Sequence, residues 1–203
     1  MTFEEFQALY GTWRGLLPTE VSALLADAPF RWWIAGGWAI EAASGQSRLH
    51  EDTDVIVLRR DLSAVRQRLA DLHLWEAHEG ALRPLRAGDD IRPEVEQIWV
   101  RRDSSSPWLL DVLITATEET SWLYKRDPTI RLPLDEIGWT GPDGVPYLRP
   151  AIVLLFKAKL ARGKDEDDFH AMVPKLDDTS RRWLRDALTA TLPAHPWLAS
   201  IEA

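Results

Sequence analysis

The chain has 203 residues, with 24 Lys and Arg against 32 Asp and Glu; the formal net charge of −8 disfavours tight, sequence-independent binding to a long nucleic acid. Apolar types at 45% and charged types at 28% supply the core of one large domain, or of a domain with a helical appendage, and exclude a disordered chain. The absence of Cys excludes disulfides, thiolate nucleophiles and Cys-based zinc sites; with acid near the N-terminus and no apolar run near the roughly 20 residues of a membrane span, a cytoplasmic setting without a membrane partner is expected.

Residues 2–26 read as helical: Phe3, Phe6, Tyr10 and Trp13 recur at helix spacing, Gly15 and Pro18 interrupt, and Val21, Leu24 and Leu25 start a second apolar face. Residues 30–35 form an aromatic and β-branched run closed by Gly36-Gly37, which predicts a buried strand turning sharply into a helix that Gly45 ends. A strand is expected over 53–58. An amphipathic helix follows, with Asp61 as its N-cap and Leu62, Val65, Leu69 and Leu72 as its stripe. Residues 95–101 and 108–114 read as strands joined by Asp103-Ser104-Ser105-Ser106-Pro107, and further short strands are expected between 129 and 147. Helices are predicted over 151–162, with Asp165 capping a second over 165–173, and over 181–192. His195 is expected to pack against a Trp. The division expected is a core with N-terminal helices over 1–148 and a helical region over 149–203 packed on it. Most of the 11 Trp belong in the core, with Trp38 and Trp139 the candidates to stack on a base or sugar.

The chemistry concentrates in Gly36-Gly37-Trp38 and in Ser47-Arg48-Leu49-His50-Glu51-Asp52-Thr53-Asp54. Asp52 and Asp54 are two apart at a strand start, so both side chains point to one face. Carboxylates that close repel unless a cation lies between them, and oxygen ligands suit Mg2+ or Mn2+. Asp111, the one charged residue inside the apolar run 108–114, is the candidate third carboxylate, as ligand or general base, because an isolated buried carboxylate is costly. Glu94 and Glu96 alternate with Val95 as an exposed strand face does. Gly36 and Gly37, at a helix N-terminus, allow backbone N–H groups to approach a phosphate. Arg48, Lys157 and Lys164 are candidate triphosphate contacts. His50 orients a phosphate or a ligand, or bonds the backbone of its own loop.

These motifs resemble the nucleotidyltransferases of the DNA polymerase β superfamily, and among them the small aminoglycoside 2''-adenylyltransferases and lincosamide nucleotidyltransferases. The resemblance is strongest over 33–58 and looser over 108–114 and 149–175; Ser47 and Glu41 stand where relatives often have Thr and Asp. It implies an α/β (α+β) core with a small mixed sheet, flanked by N-terminal helices and a helical C-terminal region. Asp52, Asp54 and Asp111 would hold metal, and Gly36 and Gly37 the phosphates. The implied reaction moves a nucleoside monophosphate, AMP from ATP, onto a hydroxyl of a small acceptor. The surplus of acid suits a cationic acceptor. The alternatives are a toxin that modifies tRNA or protein on the same fold, and a non-catalytic nucleotide-binding module.

Overall fold

A computed structural model describes residues 3–202. In chain order the elements are α1 (Phe3–Tyr10), α2 (Pro18–Leu24), β1 (Trp32–Ile34), α3 (Gly36–Ser44), β2 (Asp54–Leu58), α4 (Leu62–Arg68), β3 (His73–His78), β4 (Ala81–Leu85), β5 (Gln97–Arg101) and β6 (Trp108–Thr115). They continue as β7 (Thr117–Glu118), β8 (Ser121–Tyr124), β9 (Asp127–Pro133), β10 (Gly138–Thr140), β11 (Pro146–Leu148), α5 (Pro150–Lys157), α6 (Gly163–Met172), α7 (Asp178–Thr191) and α8 (Trp197–Glu202). The expectation of an α/β protein with a mixed sheet holds. Contacts divide the chain into two compact units: one runs to Ile34 and resumes over Leu49–Ala116, and the other takes Ala35–Arg48 and continues from Thr117. The crossings therefore lie at 34/35, 48/49 and 116/117, whereas the sequence suggested a single break near 148. No helix among the described residues is long and apolar enough to cross a membrane.

In the first unit the strands run β1-β2-β6-β5-β3-β4. β2 and β6 are parallel and the other neighbours antiparallel. Val55 to Leu58 are all buried, as in a strand covered on both faces. β3 and β4 lie at the other edge, joined through Glu79 and Gly80, both at positive φ (48° and 75°). That two-residue connection twists with the strands. Residues 73–85 scatter Glu76, Glu79, Arg83 and Pro84 among short apolar pairs, which hides this hairpin from an apolar-pattern reading.

The helix expected over 2–26 is two helices. Gly11, at φ 93°, ends α1, and the chain then runs extended beside the start of β6, with Arg14 N–H donating to Trp108 O (2.9 Å) and Leu16 N–H to Leu109 O (3.0 Å). Trp13 thus belongs to a bridge with Trp108, not to a helix face. Thr2 lies outside the described residues. Asp61 stands at the N-cap position of α4, but its side chain caps nothing, because a 3-10 turn over Arg59–Asp61 precedes the helix.

The second unit contains α3, the sheet β7-β8-β9, the β10–β11 hairpin and α5 to α8. Ala151 to Leu155 are all buried, so α5 is apolar on every side, and it packs against α3, α6 and α7. Asp177 caps α7 by accepting Ser180 N–H at 2.7 Å. Asp165 is not the N-cap of α6. It is the third helical residue and reaches back to accept Arg162 N–H at 3.1 Å, so Lys164 lies inside the first turn. Trp197, in an α8 that the sequence reading did not anticipate, stacks on Phe169 with centroids 4.1 Å apart. His195 meets Trp197 edge-on at 4.8 Å, the expected packing.

Candidate active site

The first unit brings three carboxylates together. Asp54 opens β2 and is the register partner of Asp111 on the adjacent parallel strand β6, about 4.8 Å away across the ladder. Asp52 lies two residues upstream. Thr53 between them faces the opposite way and is buried, its hydroxyl donating to Leu16 O at 2.7 Å while its carbonyl accepts Asp111 N–H at 2.9 Å. Gly15 makes this anchoring possible, since a Cβ there would lie 2.6 Å from Thr53 Oγ1 and 3.1 Å from the Asp52 carbonyl carbon. The interruption seen at Gly15 in the sequence is a close approach of backbones, and it fixes the loop that carries Asp52.

Asp111 is 7% exposed. Burial pushes its carboxyl well above the usual carboxylate range, and the charges of Asp54 and then Asp52 push the same way. Trp99 and Gln97 oppose this; Gln97 Nε2 donates to Asp111 Oδ2 at 3.0 Å. Oδ1 is buried without a hydrogen bond of normal geometry. Sequence reasoning passed over Gln97 and Trp99, although both alternate with buried Ile98 and Val100 and so face the same side as Asp111. Among the described residues, no group of three or more His, Asp and Glu side chains is placed to hold a metal ion by itself. The donor chemistry nonetheless suits a hard cation: two adjacent carboxylates and one orphaned oxygen are what Mg2+ accepts alongside substrate phosphates.

Other candidate residues lie in the second unit. Gly36 and Gly37 open α3, Gly36 at φ 59°, and no side chain caps that end of the helix. Trp38 follows, half-buried. Trp139 stacks on Tyr147, with centroids 5.5 Å apart. Arg48 grips Asp168 with both arms, Nε to Oδ1 at 2.8 Å and Nη2 to Oδ2 at 2.9 Å, and its N–H donates to Glu41 Oε2. Lys157 Nζ lies 3.0 Å from Asp165 Oδ1 and 2.9 Å from Asp168 Oδ2, and Arg162 completes the chain at Asp165. Arg48 and Lys157 therefore have carboxylate partners on α6. Burial alone would raise both acids, but hydrogen bonds from Arg162 and Lys157 hold Asp165 at about 2, and those from Arg48 and Lys157 lower Asp168. Lys164 stands half-buried in α6. His50 is half-buried in the loop before β2, in the same unit as Asp52. Glu94 and Glu96 are exposed, as expected.

The fold is that of an α/β nucleotidyltransferase. Similar solved structures are a solution structure of the antibiotic-resistance factor ANT(2'')-Ia and a crystal structure of ANT(2'')-Ia in complex with adenylyl-2''-tobramycin. The first has a TM-score of 0.57 and 14% identity over 87% of this chain and 91% of that one. The second has a TM-score of 0.57 and 12% identity over 85% and 97%. A family model described as aminoglycoside-2''-adenylyltransferase matches residues 18–87, a stretch that includes Gly36, Gly37, Asp52 and Asp54 but not Asp111. No curated protein matches the chain by sequence.

Proposed function

We propose that the chain is a nucleotidyltransferase that moves AMP from ATP, with Mg2+ or Mn2+, onto a hydroxyl of a small cationic acceptor of the aminoglycoside kind, with release of pyrophosphate. The observation that carries this reading is the pairing of Asp54 with Asp111 across β2 and β6, with Asp52 two residues away. Asp52, Asp54 and Asp111 would hold the cation, which when bound offsets phosphate charge and favours in-line displacement. Asp111, its carboxyl pushed up by burial and by its neighbours, is suited to take the acceptor proton once a cation screens Asp54 and Asp52. The N–H groups at Gly36 and Gly37, uncapped by any side chain, suit phosphate oxygens. The family-model match and the ANT(2'')-Ia fold support the acceptor class, and a net charge of −8 suits a polycation better than tRNA.

The test is a labelled-ATP assay with Mg2+ and a panel of aminoglycosides including tobramycin. Adenylylated product is expected from the native protein. Asp54→Asn should lower turnover by about 10³ or more in a protein that still folds. Absence of product with every acceptor, or full activity in Asp54→Asn, would overturn the reading.

A further inference from the structure

A pocket of about 470 Å³ opens beside the edge strands of the first unit, lined by Tyr10, Trp75, Gly80, Leu82, Arg101 and Trp108 among others and by none of the three carboxylates. That volume lies within the range of small-molecule sites. Arg101 is its one charged group. The guanidinium carbon sits 4.6 Å from the Trp75 ring centroid and 4.3 Å from that of Trp108, and the two rings meet edge-on at 85°, so the cation lies in the corner between two indoles. The indoles are themselves held: Trp108 Nε1 donates to Tyr10 O at 2.7 Å, and Trp99 packs edge-on against Trp108 at 5.4 Å.

The backbone is built to bring these groups together. The β5–β6 register shifts between Val100 and Arg101, with Leu109 the extra residue on β6, so that Trp108 becomes the cross-strand partner of Arg101. Gly80, at φ 75°, keeps the pocket wall free of a side chain where Tyr10 OH donates to its carbonyl at 2.7 Å. Yet the cation so placed has no hydrogen-bond or ion-pair partner among the described residues, and its Nε is buried without one. Asp103, the acid that attracts it, is committed to its own turn, accepting the N–H and hydroxyl groups of Ser105 and Ser106.

We propose that this pocket is a binding site for a small organic oxyanion, a carboxylate or phosphate group on an apolar body. The two indoles satisfy the cation's charge only through their rings and leave its N–H groups unpaired, and guanidinium N–H groups fit oxygens lying in their plane. Stacking holds Arg101 in place before any ligand arrives, which reduces the ordering cost of binding. Leu82 and the indole edges receive the apolar part.

The test is titration of the full chain with benzoate, phenyl phosphate and neutral benzyl alcohol, read by calorimetry and by the indole N–H signals of Trp75 and Trp108. At least one anion should bind saturably, at least about tenfold more tightly than benzyl alcohol. The better of the two identifies the head group. Arg101→Gln should weaken that binding by at least about tenfold, and Leu82→Trp, which fills the pocket and leaves the cation in place, should do the same. If Arg101→Gln fails to fold, Leu82→Trp decides. Equal binding of neutral and anionic probes, or anion binding unaffected in Leu82→Trp, overturns the proposal and leaves Arg101 as a cation clamped for packing alone.

Discussion

Asp111 illustrates how a single side chain can be a liability in the fold and an asset in a site. Its carboxyl is raised from an ordinary value of 3.8 by burial and by Asp54 and Asp52. Below that value the folded and unfolded chains both carry the proton and nothing is lost; as pH rises the unfolded chain ionises first, and the native state is progressively disfavoured. Without divalent cation, Asp111→Asn should therefore raise the melting temperature at neutral pH, by the equivalent of about 1–2 kcal/mol, with the gain fading toward pH 3.5. A variant less stable than the native protein at neutral pH would contradict the burial account. Gly15→Ala works through the neighbouring loop. The added methyl meets Thr53 and the Asp52 carbonyl carbon, so a loss of about 1–3 kcal/mol in denaturant unfolding is expected, together with reduced turnover.

Two carboxylate clusters tie elements together in different ways. Glu76, at the middle of β3 and fully buried, accepts from Arg83 on β4 and from Arg92 beyond it. Burial would raise it, but those hydrogen bonds hold it at about 2. Its contribution is present above the ordinary 4.5 and lost as pH falls toward 2. Glu76→Ala should cost about 3 kcal/mol at pH 7 in equilibrium unfolding and much less near pH 2. In the second unit, Asp168→Ala would leave Arg48 and Lys157 without a shared partner. A loss of about 3 kcal/mol is expected there, and Asp168→Asn, which keeps the shape, should lose less.

These clusters also mark what could be read from sequence. Asp52, Asp54 and Asp111 were visible because each breaks a local pattern: a doublet at a strand start, and a charge inside an apolar run. The partners of Arg48 and Lys157 were not visible, since Arg48 meets Asp168 at a separation of 120 residues. Four strands escaped for local reasons. The β3–β4 hairpin turns on Glu79-Gly80 instead of Asn-Gly; β7 is two residues long, β8 four, and both lie in a segment of mixed polarity.

Over the molecule as a whole, six of the 11 Trp fall into three aromatic packing groups. Trp13, Trp75, Trp99 and Trp108 share one cluster in the first unit; Trp122 packs with Tyr124 and Phe156, and Trp197 with Phe169, in the second. Emission from the first group should respond to Arg101→Gln and to ligands near it. Trp122 and Trp197 should instead follow the unfolding of the second unit. Single Trp→Phe variants at 108 and 197 separate the two signals, and one transition shared by both would mean that the units melt together.

The chain passes between its two units three times, and α3 is the piece stranded by that routing: it is encoded among first-unit residues but packs on α5 and α6. Cutting the gene between codons 116 and 117 would therefore not separate two self-sufficient products. The leading fragment would carry an orphan helix whose apolar face, with Ala39 and Ile40 fully buried in the intact chain, is left bare, and the trailing fragment would have a matching gap. Each half should aggregate when expressed alone and be rescued by the other in the same cell. That makes 116/117 the natural joint for a split reporter, and it makes recombination between relatives at that point viable only when the α3 of one parent suits the α5 and α6 of the other.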